Sequence, residues 1–139
     1  MENLWAQKIF SLSGFCRENI LAGRKALDVG CGRRKLKGAV GLDISQKSEA
    51  EIICDFNQIP WPLGENSFDL ILLNQALEHG CDIFKILGEV YRVARPGARV
   101  IIQVPFFRSP DASAAPTHRH FFTSRSLDFV IIGEKLSQA

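Results

Sequence analysis

The sequence predicts an α/β fold, a doubly wound and mostly parallel sheet of about five strands with flanking helices. Three observations carry this expectation. Short apolar runs recur at strand length, a helical apolar stripe separates the last two of them, and the first run feeds a glycine-rich turn, Gly30-Cys31-Gly32. Strand, helix and strand with apolar faces on both sides call for right-handed crossovers in a parallel sheet.

The strand-like runs are Lys25 to Val29, Ala39 to Asp43, Glu51 to Asp55, Phe68 to Leu73 and Arg99 to Val104. Several end at an acidic or amide residue or at proline, as strands do when they emerge from a buried sheet onto a polar rim. Ahead of them, Trp5, Ile9, Leu12, Cys16 and Ile20 recur at helical spacing and predict a helix of about five turns packed on the sheet. Ile83, Ile86, Leu87, Val90, Tyr91 and Ala94 form a second helical stripe, with Asp82 placed to cap its start and Pro96-Gly97 to stop it. Beyond Pro105 the pattern dissolves into a long loop, after which Thr123 or Ser124 can cap a last helix through Leu127, Val130 and Ile131.

Composition bounds the rest. A chain of 139 residues with 46% hydrophobic and 23% charged residues suits one globular domain spanning 1–139. The formal net charge of +2 gives no clear nucleic-acid signature, and the basic run Arg33 to Lys37 reads first as a solvated loop. Cys16, Cys31, Cys54 and Cys81 are widely spaced, so neither a metal site nor a disulfide framework is expected and reduced thiols fit a cytoplasmic protein. No stretch approaches the roughly 20 apolar residues of a membrane span, so no membrane association is expected.

Leu27-Asp28-Val29-Gly30-Cys31-Gly32 places a D-x-G-x-G turn directly after a strand, where missing side chains let a ligand approach the backbone. Asp43 closes the next strand, and a carboxylate there can accept hydrogen bonds from both hydroxyls of a ribose; a turn or capping role is the competing account. Asp55 is the next carboxylate on the rim. A nicotinamide site is disfavoured, because Lys35 stands where the dinucleotide fingerprint needs glycine.

With the run Ile59 to Asp69 and the helix end Glu89-Val90-Tyr91-Arg92-Val93-Ala94-Arg95-Pro96-Gly97, the chain resembles the class I S-adenosylmethionine-dependent methyltransferases, in their small type-11 branch. The resemblance runs from about Ala26 to Pro105 and more faintly through His118 to Leu127. It implies a Rossmann-like fold, S-adenosyl-L-methionine as cofactor and methyl transfer to a small-molecule or unknown acceptor. A methyltransferase-like domain that binds cofactor or partner without turnover is the alternative.

By the same resemblance, Asp28, Gly30, Cys31 and Gly32 surround the methionine part of the cofactor and Asp43 holds the ribose. Asp55 and the amide of Phe56 read the adenine, and Asn74 touches the cofactor through its backbone carbonyl. His79 is the candidate catalytic base, with a structural hydrogen bond as the competing role. Phe106, His118, Arg119 and His120 are the candidate acceptor wall.

Two departures from the family pattern stand out. Arg34 replaces a third glycine, and only residues 33–38 separate the turn from the next strand, too few for the usual crossover helix. The positive end of that helix would then be absent, leaving Arg33, Arg34 or Lys35 to supply charge. The sequence also ends before the antiparallel hairpin that closes the sheet in the family. An open edge along the fifth strand is therefore expected, and a homodimer through it is one way to cover it.

Overall fold

The computed structural model describes residues 9–10, 23–104, 116 and 119–120. Among the described residues the strands are β1 (Ile9–Phe10), β2 (Ala26–Val29), β3 (Val40–Asp43), β4 (Ile52–Ile53), β5 (Phe68–Asn74) and β6 (Ala94–Gln103), and the α-helix is α1 (Ile83–Val93). They form a single six-stranded sheet in the order β1-β6-β5-β2-β3-β4. Every pairing among the described residues is parallel, as expected.

The order explains where a site can form. From β2 the chain winds outward through β3 to β4, then returns to the other side of β2 to place β5 and β6. The crossovers therefore leave β2 and β5 in opposite directions, and a crevice opens between the carboxyl ends of those two strands.

Alternation along β5 builds two cores. Ile71 and Leu73 join Leu27, Val29, Trp61 and the inner face of α1, whereas Leu70 and Leu72 join Ala26, Leu36, Ala39 and Ile101. The second cluster shows why the crossover from β2 to β3 needs no helix. Leu36 and Ala39, from a loop, cover that face of the sheet and are almost fully buried.

Asp82 caps α1 as expected, accepting from the backbone N–H of Lys85 at 3.2 Å. The helix ends at Val93, and Ala94 already belongs to β6, because Pro96 cannot continue the helical hydrogen bonds. The register jumps from Phe68 opposite Ala94 to Leu70 opposite Arg99, so residues 95–98 bulge outward.

One expectation is corrected at the start of the chain. Ile9 and Phe10 lie in a strand, beside Val100 and Ile101 of β6, and not within a helix from Trp5 to Ile20. The reason is the edge of β6, whose backbone donors and acceptors are satisfied by an extended partner. The same pairing occupies the edge expected to be open on the fifth strand. The expected last helix, and the rest of the first, lie outside the described residues. Among the described residues no helix is long and apolar enough to cross a membrane.

A polar clamp fastens the loop before β5 to α1. Glu89, 4% exposed, accepts from the backbone N–H of Trp61 at 3.3 Å and from Arg92 Nε at 2.5 Å. Arg92 also donates to the carbonyls of Leu63, at 2.8 Å, and Trp61, at 3.2 Å. The spacing of Glu89 and Arg92, one helical turn apart, lets two side chains hold one loop. Trp61 completes the link by donating from its indole to the carbonyl of Phe56 at 2.8 Å.

Arg92→Ala is expected to destabilise the domain by about 2–4 kcal/mol in urea unfolding, because it leaves the Glu89 carboxylate buried and strips two loop carbonyls. At the other end of the sheet, Asp69 accepts from the Lys25 backbone N–H at 3.0 Å and pairs with Arg95, which together hold its carboxyl below its ordinary value of 3.8. A depressed folded value means stability that is present above the ordinary value and lost as pH falls through the folded one. Asp69→Asn should therefore lower the melting temperature at pH 7, with the gap to the parent closing below about pH 4.

Candidate active site

The crevice at the ends of β2 and β5 is an open cleft of about 310 Å³, lined by Asp28, Gly30, Cys31, Gly32, Arg33, Arg34, Asn74 and Gln75. Five of the predicted cofactor residues, Asp28, Gly30, Cys31, Gly32 and Asn74, thus come together in one place. Asp43, Asp55, Phe56 and His79 are not in its lining.

The two glycines of the turn do different work. Gly30 has φ +66°, and a Cβ there would lie 2.8 Å from the Cβ of Ala76, so its bareness serves packing between the ends of β2 and β5. Gly32 has φ +54°, but a Cβ there would meet nothing within 4 Å. Its bareness therefore faces open space, which corrects the uniform reading of both as room for a ligand.

The turn is held from behind. Gly30 N–H donates to the carbonyl of Leu42 at 2.7 Å, and Gly32 N–H donates to Asp43 Oδ2 at 2.9 Å. The other Asp43 oxygen accepts from the Ser45 N–H at 2.8 Å. Asp43 thus joins the turn to the end of β3, and each oxygen keeps a further lone pair for a ligand hydroxyl.

Asp28, 2% exposed, accepts from the Leu36 N–H at 2.8 Å and so fixes the crossover loop beside the cleft. Cys31 lies between carboxylates. Burial first, then the charges of Asp28 and Asp43, pushes its thiol up to about 12, so it stays protonated and is no nucleophile.

The basic run is only partly solvated. Arg33, Arg34 and Lys37 are exposed, but Leu36 is buried and Lys35 is drawn inward. Lys35 Nζ donates to the Ala39 carbonyl at 2.9 Å and pairs with Glu51, which also accepts from the Gly41 N–H at 2.6 Å. The Lys35 hydrogen bond, then that of Gly41, holds the Glu51 carboxyl below its ordinary range. Lys35 is thereby committed to the base of β3, away from any charge-supplying role in the cleft.

Asp55 and Phe56 sit on the neighbouring loop. Asp55 Oδ1 accepts from the Asn57 N–H at 2.9 Å, closing a turn, and Asn57 in turn accepts from the Cys81 N–H at 2.7 Å. The Phe56 ring stands 3.8 Å from where a Gly30 Cβ would lie and 3.9 Å from the same point at Gly80. It wedges between the turns that follow β2 and β5.

After Asn74 comes Gln75, a lining residue in the segment 74–79 that follows the strand. Its φ of +55° is rare for a side-chain-bearing residue, and its N–H is held by the Gln103 carbonyl at 2.7 Å. Only its place immediately after a long apolar strand pointed to it.

His79 lies farther along, in the 3₁₀ turn Leu77–His79, with Nε2 3.7 Å from the buried carboxylate of Glu78. The backbone N–H groups of Arg119 and His120 donate to the Glu78 carbonyl at 2.7 and 3.3 Å. His120 Nε2 lies 2.7 Å from the Gly80 carbonyl and donates to it, since a carbonyl only accepts. The structure therefore gathers His79, Arg119 and His120 on one turn next to the cleft. Phe106 and His118 lie outside the described residues. Among the described residues no group of acidic, histidine or cysteine side chains is arranged to hold a metal ion.

Comparison with known proteins agrees with this geometry. A family model described as a methyltransferase domain matches residues 27–102, more than half of the chain. A demethylmenaquinone methyltransferase from Oceanobacillus iheyensis is 33% identical over 110 residues, covering 61% of this chain and 46% of that protein. The chain thus spans about half the length of the curated relatives it matches. Among solved structures, a methyltransferase from Thermotoga maritima superposes with a TM-score of 0.65 at 20% identity, covering 79% of this chain and 62% of the other. One from Archaeoglobus fulgidus gives 0.64 at 20% identity, covering 86% and 68%. With the switch-point cleft, the D-x-G-x-G turn and the matched segment in agreement, the chain belongs to the class I S-adenosylmethionine-dependent methyltransferase family, with its Rossmann-like fold.

Proposed function

We propose that this chain, as one domain, binds S-adenosylmethionine in the cleft between β2 and β5 and transfers its methyl group to a small-molecule acceptor. The observation that carries the reading is the open space beside Gly32, bounded by Asp28, Asn74 and Gln75 and backed by the Asp43 carboxylate. When bound, the cofactor supplies an electrophilic methyl group on a sulfonium. The protein's part is chiefly to position and to exclude water.

In this reading Gly30, Cys31 and Gly32 present backbone to the amino-acid portion, with Asp28 behind them. Asp43 accepts from the ribose hydroxyls, Asp55 and the Phe56 N–H meet the adenine, and the Asn74 carbonyl faces the cofactor. His79 takes the proton that the acceptor loses. Phe106, His118, Arg119 and His120 form the acceptor side, a role supported for the last two by their docking on the turn that carries His79. A small-molecule acceptor is in keeping with the relatives that methylate demethylmenaquinone. A cytoplasmic setting suits Cys31, Cys54 and Cys81, which are free thiols.

Calorimetric titration with S-adenosylhomocysteine tests the reading. Asp43→Asn keeps one oxygen for the Gly32 N–H but loses the charge and turns an NH2 toward the Ser45 N–H, so binding should weaken by about 1.5–3 kcal/mol, with a smaller loss of about 1 kcal/mol in folding stability. Equal affinity in parent and variant would remove the ribose role. The two glycines should separate cleanly: Gly30→Ala is expected to cost about 2–4 kcal/mol of folding stability through its clash with Ala76. Gly32→Ala should cost only about 1 kcal/mol of stability yet lose most of the binding, because its methyl enters the cleft. A Gly32→Ala protein that binds like the parent would move the ligand elsewhere.

A further inference from the structure

We propose that the hollow at the amino ends of β2, β5 and β6 is a second binding site, one that takes a phosphate group. It lies at the opposite end of the sheet from the cleft, so the inference stands apart from the function proposed above. A space of about 230 Å³ is lined there by Arg24, Asp69, Pro96, Gly97, Ala98 and Arg99. That is below the roughly 300–1,000 Å³ of pockets that hold whole organic ligands, and it suits a small ion or the end of a larger molecule.

The hollow takes its shape from the bulge at the start of β6. Between the pairs Phe68–Ala94 and Leu70–Arg99, the four residues 95–98 stand opposite Asp69 alone, so the strand bows away from its neighbour. Gly97, with φ +79°, borders open space, since a Cβ there would meet nothing within 4 Å. The walls are held by the sheet. The Lys25 carbonyl accepts from the N–H groups of Asp69 and Leu70 at 2.8 and 3.2 Å, which ties the chain beside Arg24 to the start of β5. Backbone fixed in this way limits the ordering that binding must impose.

Charge then selects the ligand. Asp69 is the carboxylate of the lining, and its charge is already countered: Oδ2 accepts from the Lys25 N–H at 3.0 Å, and Arg95 Nη1 reaches both oxygens at 3.1 and 3.2 Å. The Lys25 ammonium, 5.2 Å from the centre of the Phe68 ring, adds a cation to the same rim. With Asp69 matched by Arg95, the guanidinium groups of Arg24 and Arg99 leave the hollow positive. Arg99 already has an interaction partner and counts here as a fixed charge on the wall, so the hydrogen bonds to the ligand fall to the exposed Arg24. A phosphate group carries about −1.5 to −2 charges at pH 7, which matches two guanidinium groups, and its oxygens suit the planar fork of arginine. Inorganic phosphate and the phosphoryl end of a larger molecule share this chemistry.

Calorimetry with inorganic phosphate and with glycerol 3-phosphate, at an ionic strength held constant with potassium chloride, tests the site. Saturable binding is expected. Binding of the free ion alone identifies inorganic phosphate as the ligand, and tighter binding of glycerol 3-phosphate identifies a phosphoryl group on a larger molecule. Arg24→Ala should weaken binding about 10-fold. Lys47→Ala, which removes an exposed cation beyond the far end of β3, should stay within about twofold of the parent. Asp69→Asn takes the negative charge out of the lining and should tighten binding severalfold, a gain that no folding defect can produce. The inference is overturned if neither probe saturates, if Arg24→Ala binds like the parent, if Lys47→Ala loses as much as Arg24→Ala, or if Asp69→Asn binds no more tightly.

Discussion

The contact on which the working end of this domain depends is the close approach of Gly30 to Ala76. It brings the turn after β2 against the turn after β5 with no side chain between them, and a methyl group on Gly30 would overlap the one already there. Phe56 inserts beside that contact and reaches Gly80, so three loops from three parts of the chain meet around one bare backbone position. The cleft is the space left in front of this junction. Its shape follows from packing that would be needed whether or not a ligand entered.

The residues that suggest ligand chemistry are for the same reason structural members. Asp28 holds the crossover loop, Asp43 holds the glycine turn, and Asp55 closes its own loop. Each carboxylate accepts backbone N–H groups that would otherwise be unsatisfied near the end of a strand. Side chains held in this way are fixed by the fold before anything binds. The short crossover covers its face of the sheet with Leu36 and Ala39 from a loop.

Much of this was legible in the sequence, and the exceptions are instructive. The apolar runs located β2, β3, β5 and most of β6 because buried parallel strands carry continuous apolar stretches, and the capped stripe from Asp82 located α1. The periodic residues from Trp5 to Ile20 misled at Ile9, where a helical spacing coincided with a dipeptide that an unpaired strand edge could use. Periodicity reports a local preference, whereas the edge of β6 is a tertiary fact. Gln75 was given no role of its own, because a left-handed backbone at a glutamine leaves no mark in composition. Glu89 and Arg92 were read as part of a family pattern, and their physical task, clamping the loop at Trp61, became visible only once the loop and helix stood side by side.

The pairing of Ile9 and Phe10 with Val100 and Ile101 bears on the order in which the molecule assembles. Pairings among β2 to β6 reach at most from Ala26 to Leu70, whereas β1 pairs from Ile9 to Val100 and can take its place only after β6 exists to receive it. Closing so long a span of chain costs entropy that only an already formed sheet can offset, so this strand joins last. On a ribosome Ile9 and Phe10 would wait unplaced until β6 had followed them out.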